Sequence, residues 1–318
     1  MAIDYDRFPN LHPSIQNGRV LPFRSAYVQY VEGDENGNAK SGAPLISLDG
    51  LNTKFVVEEN LGNMYPAAQI SVCNVKDATR DFLTNYMNFK DQQFNKRLIR
   101  LYAGYLQPGQ SWKDTPLMFE GNVRFTRFTE PPDIWLNMDV LFKYSASALK
   151  PQEWGIKDTA NAEQILTAAA KRLNVGLDIR DMPPNSVKNF TASGDGARLM
   201  KQLRDTFPGY AVFISAENKL TTIHTKRTAP AKGEITWSVR EDTGMIGQPI
   251  VEYWGVEVTT LLNPVMHPGD WIKLVSKNQP SASGRYCIRR ITHTGELRGS
   301  EFYTKIEAYY PDSDKSKK

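Results

Sequence analysis

The residues able to do chemistry are scattered along this chain rather than gathered. The four histidines, His12, His224, His267 and His293, fall in no H-x-x-x-H or H-E-x-x-H spacing, so none is expected to hold a metal or act as a base. Cys73 and Cys287 stand far apart in runs that read as strands; the expectation is two buried, reduced thiols rather than a disulfide or a zinc site. Ser193-Gly194-Asp195-Gly196 precedes a helical pattern and evokes a phosphate-binding loop. It lacks the G-x-x-x-x-G-K-S/T spacing, so a capped helix start is the better reading. Asn189-Phe190-Thr191 matches a glycosylation acceptor by chance. Carboxylate neighbours such as Glu58 with Glu59, or Glu241 near Glu252, are coincidences to be expected among 35 acidic residues. The run Lys96-Arg97-Leu98-Ile99-Arg100, with Arg124 and Arg127, alternates with apolar residues and reads as a solvated or subunit-facing strand surface. No catalytic, cofactor-binding or metal-ligating residue is assigned, no cofactor is implied, and no enzyme emerges.

The elements that would position such residues are organised around the last third of the chain, from about Gly247 to Tyr309. Trp254, Val256 and Val258 share one strand face opposite Glu257 and Thr259; Ile272 pairs with Leu274; Phe302, Thr304, Ile306 and Ala308 form another stripe. Pro268-Gly269-Asp270 is a tight turn that launches a strand. A four-strand unit of this kind closes on itself or pairs with another subunit, since open edges are a liability.

Earlier, residues 1–20 show no periodicity and read as an arm. Strands follow at Ala26–Val31, Phe55–Glu58 and Gln69–Val75, with an exposed polar loop over Glu32–Gly42. Phe82, Tyr86 and Phe89, with Leu83 and Met87, stripe one amphipathic helix that Asn74 or Asp77 can cap. Strand patterning resumes at Leu98–Tyr105, Leu117–Phe128 and Ile134–Tyr144, with Gly121 and Pro131-Pro132 separating neighbours. Ile134, Leu136, Met138, Val140 and Phe142 make the last the cleanest strand. Between Lys150 and Ile156 the period shifts from 2 to 3.6. Asp158 or Thr159 opens a helix through Leu173 that Asn174 and Gly176 stop; a short strand spans Val175–Arg180. Ser193 or Asp195 caps a second helix bearing Leu199, Leu203 and Phe207, and Tyr210–Ser215 with Leu220–Thr225 form a hairpin.

At 318 residues, 40% hydrophobic and 23% charged, the composition is that of an ordinary folded protein. The net charge of +4 is too small to argue for a nucleic-acid binder, and three of the lysines sit in the last six residues. No apolar run approaches the roughly 20 residues of a membrane span. Acidic residues at Asp4 and Asp6 stand where a signal peptide needs a basic segment, so folding in a cytoplasm is expected.

Some of this text resembles a known family. Ile70-Ser71-Val72-Cys73-Asn74-Val75 running into Asp77-Ala78-Thr79-Arg80-Asp81-Phe82-Leu83 is similar to the strand-into-helix segment of bacteriophage tail-tube-like domains. Leu261-Leu262-Asn263-Pro264, Pro268-Gly269-Asp270, Gly284-Arg285-Tyr286 and His293-Thr294-Gly295-Glu296 together resemble the closing domain of phage baseplate hub proteins, relatives of the hub part of the type VI secretion spike. The resemblance covers about residues 20–310.

It implies an α+β, mainly β fold with two tube-type β-barrels flanking a small α/β domain: an arm over 1–20, a first barrel over 21–150, an insert over 151–230, a second barrel over 231–311 and a flexible basic tail over 312–318. It also implies a homotrimeric virion protein that adapts a sixfold tail tube to a threefold spike, since three copies of two similar barrels give six similar positions. Its partners would be itself, the tail tube protein, the spike or tip protein, and tape measure and baseplate wedge proteins. DNA would pass transiently through a polar, not strongly basic, lumen, without membrane insertion. The sequence departs from the pattern in showing no internal repeat. Two other readings stand beside it: a β-barrel nucleic-acid or carbohydrate binder using Trp254, Trp271 and Arg289-Arg290 as a stacking and phosphate surface, and a tail-associated cell-wall hydrolase.

Overall fold

The computed structural model describes residues 23–33, 40, 42, 44–62, 65–86, 97–107, 109–141, 152–216, 218–231 and 233–310. The N-terminal part runs β1 (Phe23–Glu32), β2 (Ile46–Leu48), β3 (Thr53–Asn60), β4 (Ala67–Cys73), α1 (Asp77–Tyr86), β5 (Arg97–Leu106), β6 (Leu117–Phe128) and β7 (Trp135–Leu141). The middle part holds β8 (Gln152–Asn161), α2 (Ala162–Leu173), β9 (Gly176–Ile179), β10 (Ser186–Gly194), α3 (Gly196–Thr206), β11 (Tyr210–Ile214) and β12 (Lys219–His224). The C-terminal part holds β13 (Thr236–Arg240), β14 (Met245–Glu252), β15 (Gly255–Leu261), β16 (Trp271–Val275), β17 (Gly284–Glu296) and β18 (Phe302–Tyr309). The protein is mainly β.

Alternation decides which side of each strand is dry. On β7, Leu136, Met138 and Val140 are buried while Trp135, Asn137, Asp139 and Leu141 are only partly covered. On β18, Phe302, Thr304, Ile306 and Ala308 are all buried. Each such aliphatic or aromatic side chain contributes about 1.5–3 kcal/mol on burial. Tyr30 donates its hydroxyl to Met138 Sδ at 2.7 Å, satisfying a polar tip inside this core. Leu83 carries α1 into it; the side chains of Phe82 and Tyr86, with Met87, Phe89 and Phe142, lie outside the described residues. So do the arm, His12, Lys96, most of the loop after Glu32 and the tail.

The strands do not split into two sets. Thirteen form one hydrogen-bonded sheet in the order β14-β15-β18-β17-β3-β4-β7-β6-β5-β1-β2, with β16 on β17 and β13 parallel to β16. The expected four-strand C-terminal unit therefore has six strands and is joined through β17 to the N-terminal strands, while β13 and β14 each pair with a single strand. The reason is the length of β17: its first residues, Gly284–Cys287, pair with β16, while Arg290–Glu296 pair with β3. The turn between β17 and β18 is tied down: Arg24 Nη1 donates to Gly299 O at 2.7 Å and Arg298 Nη2 to Gly50 O at 2.9 Å. Gly121 lies inside β6 opposite Ile99 and separates no strands; a Cβ there would crowd the Leu141 carbonyl at 2.9 Å.

The middle part differs from expectation at its start. Residues 152–161 form β8, paired with β10, rather than the beginning of a helix. Asp158 and Thr159 sit in that strand; α2 opens after Asn161, whose side chain accepts from Gln164 N at 2.9 Å while Gln164 Oε1 accepts from Asn161 N, a reciprocal cap. Asn174 in the left-handed region (φ 53) ends it. Asp195, not Ser193, caps α3, accepting from Arg198 N at 2.8 Å; Ser193 belongs to β10. At α1 the first backbone bond runs from Arg80 N to Lys76 O, which places Asp77 inside the first turn, paired with Arg80 at 2.6 Å, and makes neither it nor Asn74 the capping residue. β9, β12 and β11 form a second small sheet.

Candidate functional site

The solvent face of the large sheet is built from the alternate residues of the strands just described. β3 contributes Glu58, β4 Gln69 and Ser71, β7 Asn137 and Asp139, β17 Arg290 and Thr292, β18 Lys305 and Glu307, and β15 Glu257. Across the β3–β17 seam the face is polar apart from the exposed Val56, and its cations are matched on the spot. Arg290 lies 2.8 Å from Glu58 and 3.4 Å from Glu307; Lys305 lies 2.8 Å from Glu257. Ser71 donates to Asn137 Oδ1 at 2.6 Å. Such exposed pairs add little stability, but they leave a surface with polarity and no strong field of either sign. Of the basic run, Arg100 is paired with Glu120 at 2.6 Å, and Arg124 and Arg127 are exposed on β6.

The four residues expected as a stacking and phosphate surface are not brought together. Trp254 and Arg289 meet, the guanidinium 5.4 Å from the ring centroid. Trp271 is fully buried, and Arg290 points to the charge-matched face. Trp254 also lies in the turn before β15 rather than on its strand face. The histidines divide similarly. His293 is buried with Nδ1 2.9 Å from Thr304 Oγ1; burial first, and the nearby His267 second, hold its pKa down to about 3. His267 Nδ1 lies 3.3 Å from the buried Glu59, and His224 Nδ1 accepts from Lys226 N. Cys287, in the core, has its thiol pushed up to about 11, chiefly by burial. Both cysteines are free and buried.

Sequence reading missed the junction that fixes the middle part to the C-terminal strands. Asp270, at the end of the Pro268-Gly269-Asp270 turn, accepts from Arg180 Nη1 at 2.9 Å and from Trp237 Nε1 at 3.0 Å. Arg227 is buried, 2.9 Å from Asp181 and 2.6 Å from Glu234, and donates to Gly269 O. Burial alone would lower the Arg227 pKa; the Glu234 hydrogen bond and the Asp181 and Glu234 charges reverse this and raise it. Gly269 has φ +91 and lies so close to Ile223 that a Cβ would collide with its Cδ1, which is why the turn needs glycine. The Pro-Gly-Asp text was the available signal, but as a turn it showed nothing of its partners.

The comparisons with known proteins agree on the architecture. The chain matches the tail protein (43 kDa) of prophage MuSo2 from Shewanella oneidensis with a TM-score of 0.57 at 9% identity, over 91% of this chain and 98% of that one. A tail protein of Neisseria meningitidis MC58 matches with a TM-score of 0.57 at 6% identity, over 90% and 96%. The E. coli c3393 protein, a component of the type VI secretion system, matches with a TM-score of 0.51 at 9% identity, over 82% and 74%. At these identities the likeness is one of fold. A search of curated proteins finds no match, and no helix among the described residues is long and apolar enough to cross a membrane. The family model described as baseplate hub gp41 matches residues 40–308, and with the phage tail-protein fold under it, this chain belongs to the baseplate hub gp41 family.

Proposed function

We propose that three copies of this chain close into a ring at the phage baseplate that joins the sixfold tail tube to a threefold spike and lets DNA through. The observation that carries the reading is the largely polar face running from β7 across the β3–β17 seam to β15, with Arg290 and Lys305 matched by Glu58, Glu307 and Glu257. Turned inward, such a face lets a polyanion slide: unmatched arginines would hold phosphates by counterion release, and an apolar wall would dewet. The 21–150 and 231–311 segments act as the two tube-type units of each subunit, completed as barrels in the ring, with 151–230 as a small domain outside. The arm 1–20 and the tail 312–318 serve as attachments. The tail tube, spike or tip, tape measure and wedge proteins are its partners, its place is the virion tail, and its work is mechanical rather than enzymatic.

Mass by light scattering with negative-stain imaging of the same peak tests this, run on the chain alone and with purified tube and spike proteins. The expected particle has three times 36.0 kDa and a central hole. A particle of one or two chains under both conditions would overturn the ring.

A further inference from the structure

The three parts of the chain meet around an open cleft of about 690 Å³. Its lining includes Arg204 from α3, Lys226 after β12, Arg289 from β17, and the rings of Tyr253, Trp254 and Tyr310; no Asp or Glu lines it among the described residues. Lys226 and Arg289 form no ion pair among the described residues, whereas the adjacent Arg290 takes two carboxylates.

The β14–β15 hairpin supplies a second, independent observation. Glu252 pairs with Gly255, so Tyr253 and Trp254 alone form the loop. Two-residue hairpin loops favour left-handed residues such as Asn-Gly, yet neither Tyr253 nor Trp254 has a positive φ, and Tyr253 is 94% exposed. Two large aromatics break the local turn rule here with almost no burial in return for one of them, the pattern of a recognition site. The tip is also held in place. Tyr310 N donates to Trp254 O at 3.3 Å, and Gly255 lies so close to β18 that a Cβ would collide with the Ala308 carbonyl oxygen. A rigid aromatic tip loses little entropy on binding.

Tyr, Trp and Arg are the residue types that dominate protein-binding hot spots. Among the described residues only Arg204, Lys226 and Arg289 bring positive charge to the cleft lining, Arg290 beyond it is taken by two carboxylates, and Glu252 flanks the tip. A single strand of nucleic acid needs a longer cationic track. We propose that this cleft docks a short acidic segment of another protein, its carboxylates on Lys226 and Arg289 and an apolar side chain against Tyr253 and Trp254. Because the lining comes from all three parts of the chain, the docked segment would also brace them against one another. The proposal stands on the cleft alone and does not require the ring.

The test uses the full chain and a fluorescein-labelled synthetic peptide in which Asp and Glu alternate with Phe, read by anisotropy. Controls are the same peptide with Asn and Gln in place of the acids, and labelled oligo-dT. The acidic peptide should bind, and K226Q with R289Q should weaken it by about tenfold or more, the scale of one lost charged contact. Trp254→Ala should weaken it as well, with far-UV circular dichroism and thermal midpoint held. Equal binding of the amide peptide, tighter binding of oligo-dT, indifference to these variants, or no binding at all would each overturn the proposal.

Discussion

An arginine over a tryptophan ring recurs in this protein, and two of its instances sit in opposite surroundings. Arg227 lies 5.8 Å from the Trp271 centroid and Arg289 lies 5.4 Å from that of Trp254. The first pair is sealed: its guanidinium is 2% exposed, Asp181 and Glu234 match its charge, and Trp271 is inaccessible. The second is open, without an acid partner among the described residues, beside an exposed tyrosine. Cation–π geometry is therefore not what makes a site. A buried arginine needs its own carboxylates to be tolerated, and once they are supplied it is architecture. An arginine held on a ring without them is left to find its anion in another molecule.

The sharpest way to break the comparison is to remove each arginine in turn. Arg227→Met strands Asp181 and Glu234 beside a buried apolar side chain and should lower unfolding stability by about 3–5 kcal/mol. Arg289→Met should stay within about 0.5 kcal/mol of the parent. Urea titrations of both decide it; equal midpoints would mean the sealed junction contributes nothing. Gly269→Ala strikes the same junction through the backbone. At φ +91, with Ile223 in the way, it should lose about 1–3 kcal/mol, and a parent-like midpoint would show that the turn relaxes freely.

Near the same seam, His293 gives a pH signature. Its folded pKa of about 3 lies below the usual 6.5 because the ring is buried first and neighbours His267 second. Above pH 6.5 neither the folded nor the unfolded chain protonates it, and its contribution is flat. As pH falls from 6.5 toward 3, the unfolded chain takes the proton and the folded one does not, so stability falls by roughly 1.4 kcal/mol per unit from this group. The difference in slope between the parent and His293→Gln isolates the ring, and identical slopes between pH 7 and 5 would refute the assignment.

These sites were unequally legible. The β7 and β18 stripes, α3 and the Pro268-Gly269-Asp270 turn follow from local period and turn chemistry, and were readable. β8 and β10 were not: Gln152–Asn161 is mostly polar, broken by Asp158 at φ 64, and only Phe190 and Ala192 of β10 are buried, so neither shows a clean alternation. The start of α2 was misplaced because Asp158, Thr159 and Asn161 are all good caps; Gln164, three residues after Asn161, was the deciding signal. Trp254 and Trp271 look alike as letters. Only the pairing of β16 inside the sheet buries one, and only the β14–β15 turn leaves the other at a cleft. Likewise, nothing local ties Arg227 to Asp181 or Arg180 to Asp270, since those distances are set by the fold.

The smallest effect sharpens the comparison most. Replacing the tip by Tyr253→Asn together with Trp254→Gly installs the turn that a two-residue hairpin favours. Better turn geometry and the loss of an exposed ring favour the folded state, while the lost packing of half-buried Trp254 opposes it, so the midpoint should move by about 0.5 kcal/mol or less. Acidic peptide binding should nevertheless vanish, with Lys226 and Arg289 both intact. That outcome would show that the aromatic tip is kept for what it touches outside the chain. A stability loss of several kcal/mol would instead make the tip a structural anchor, and would erase the distinction between the open pair and the sealed one.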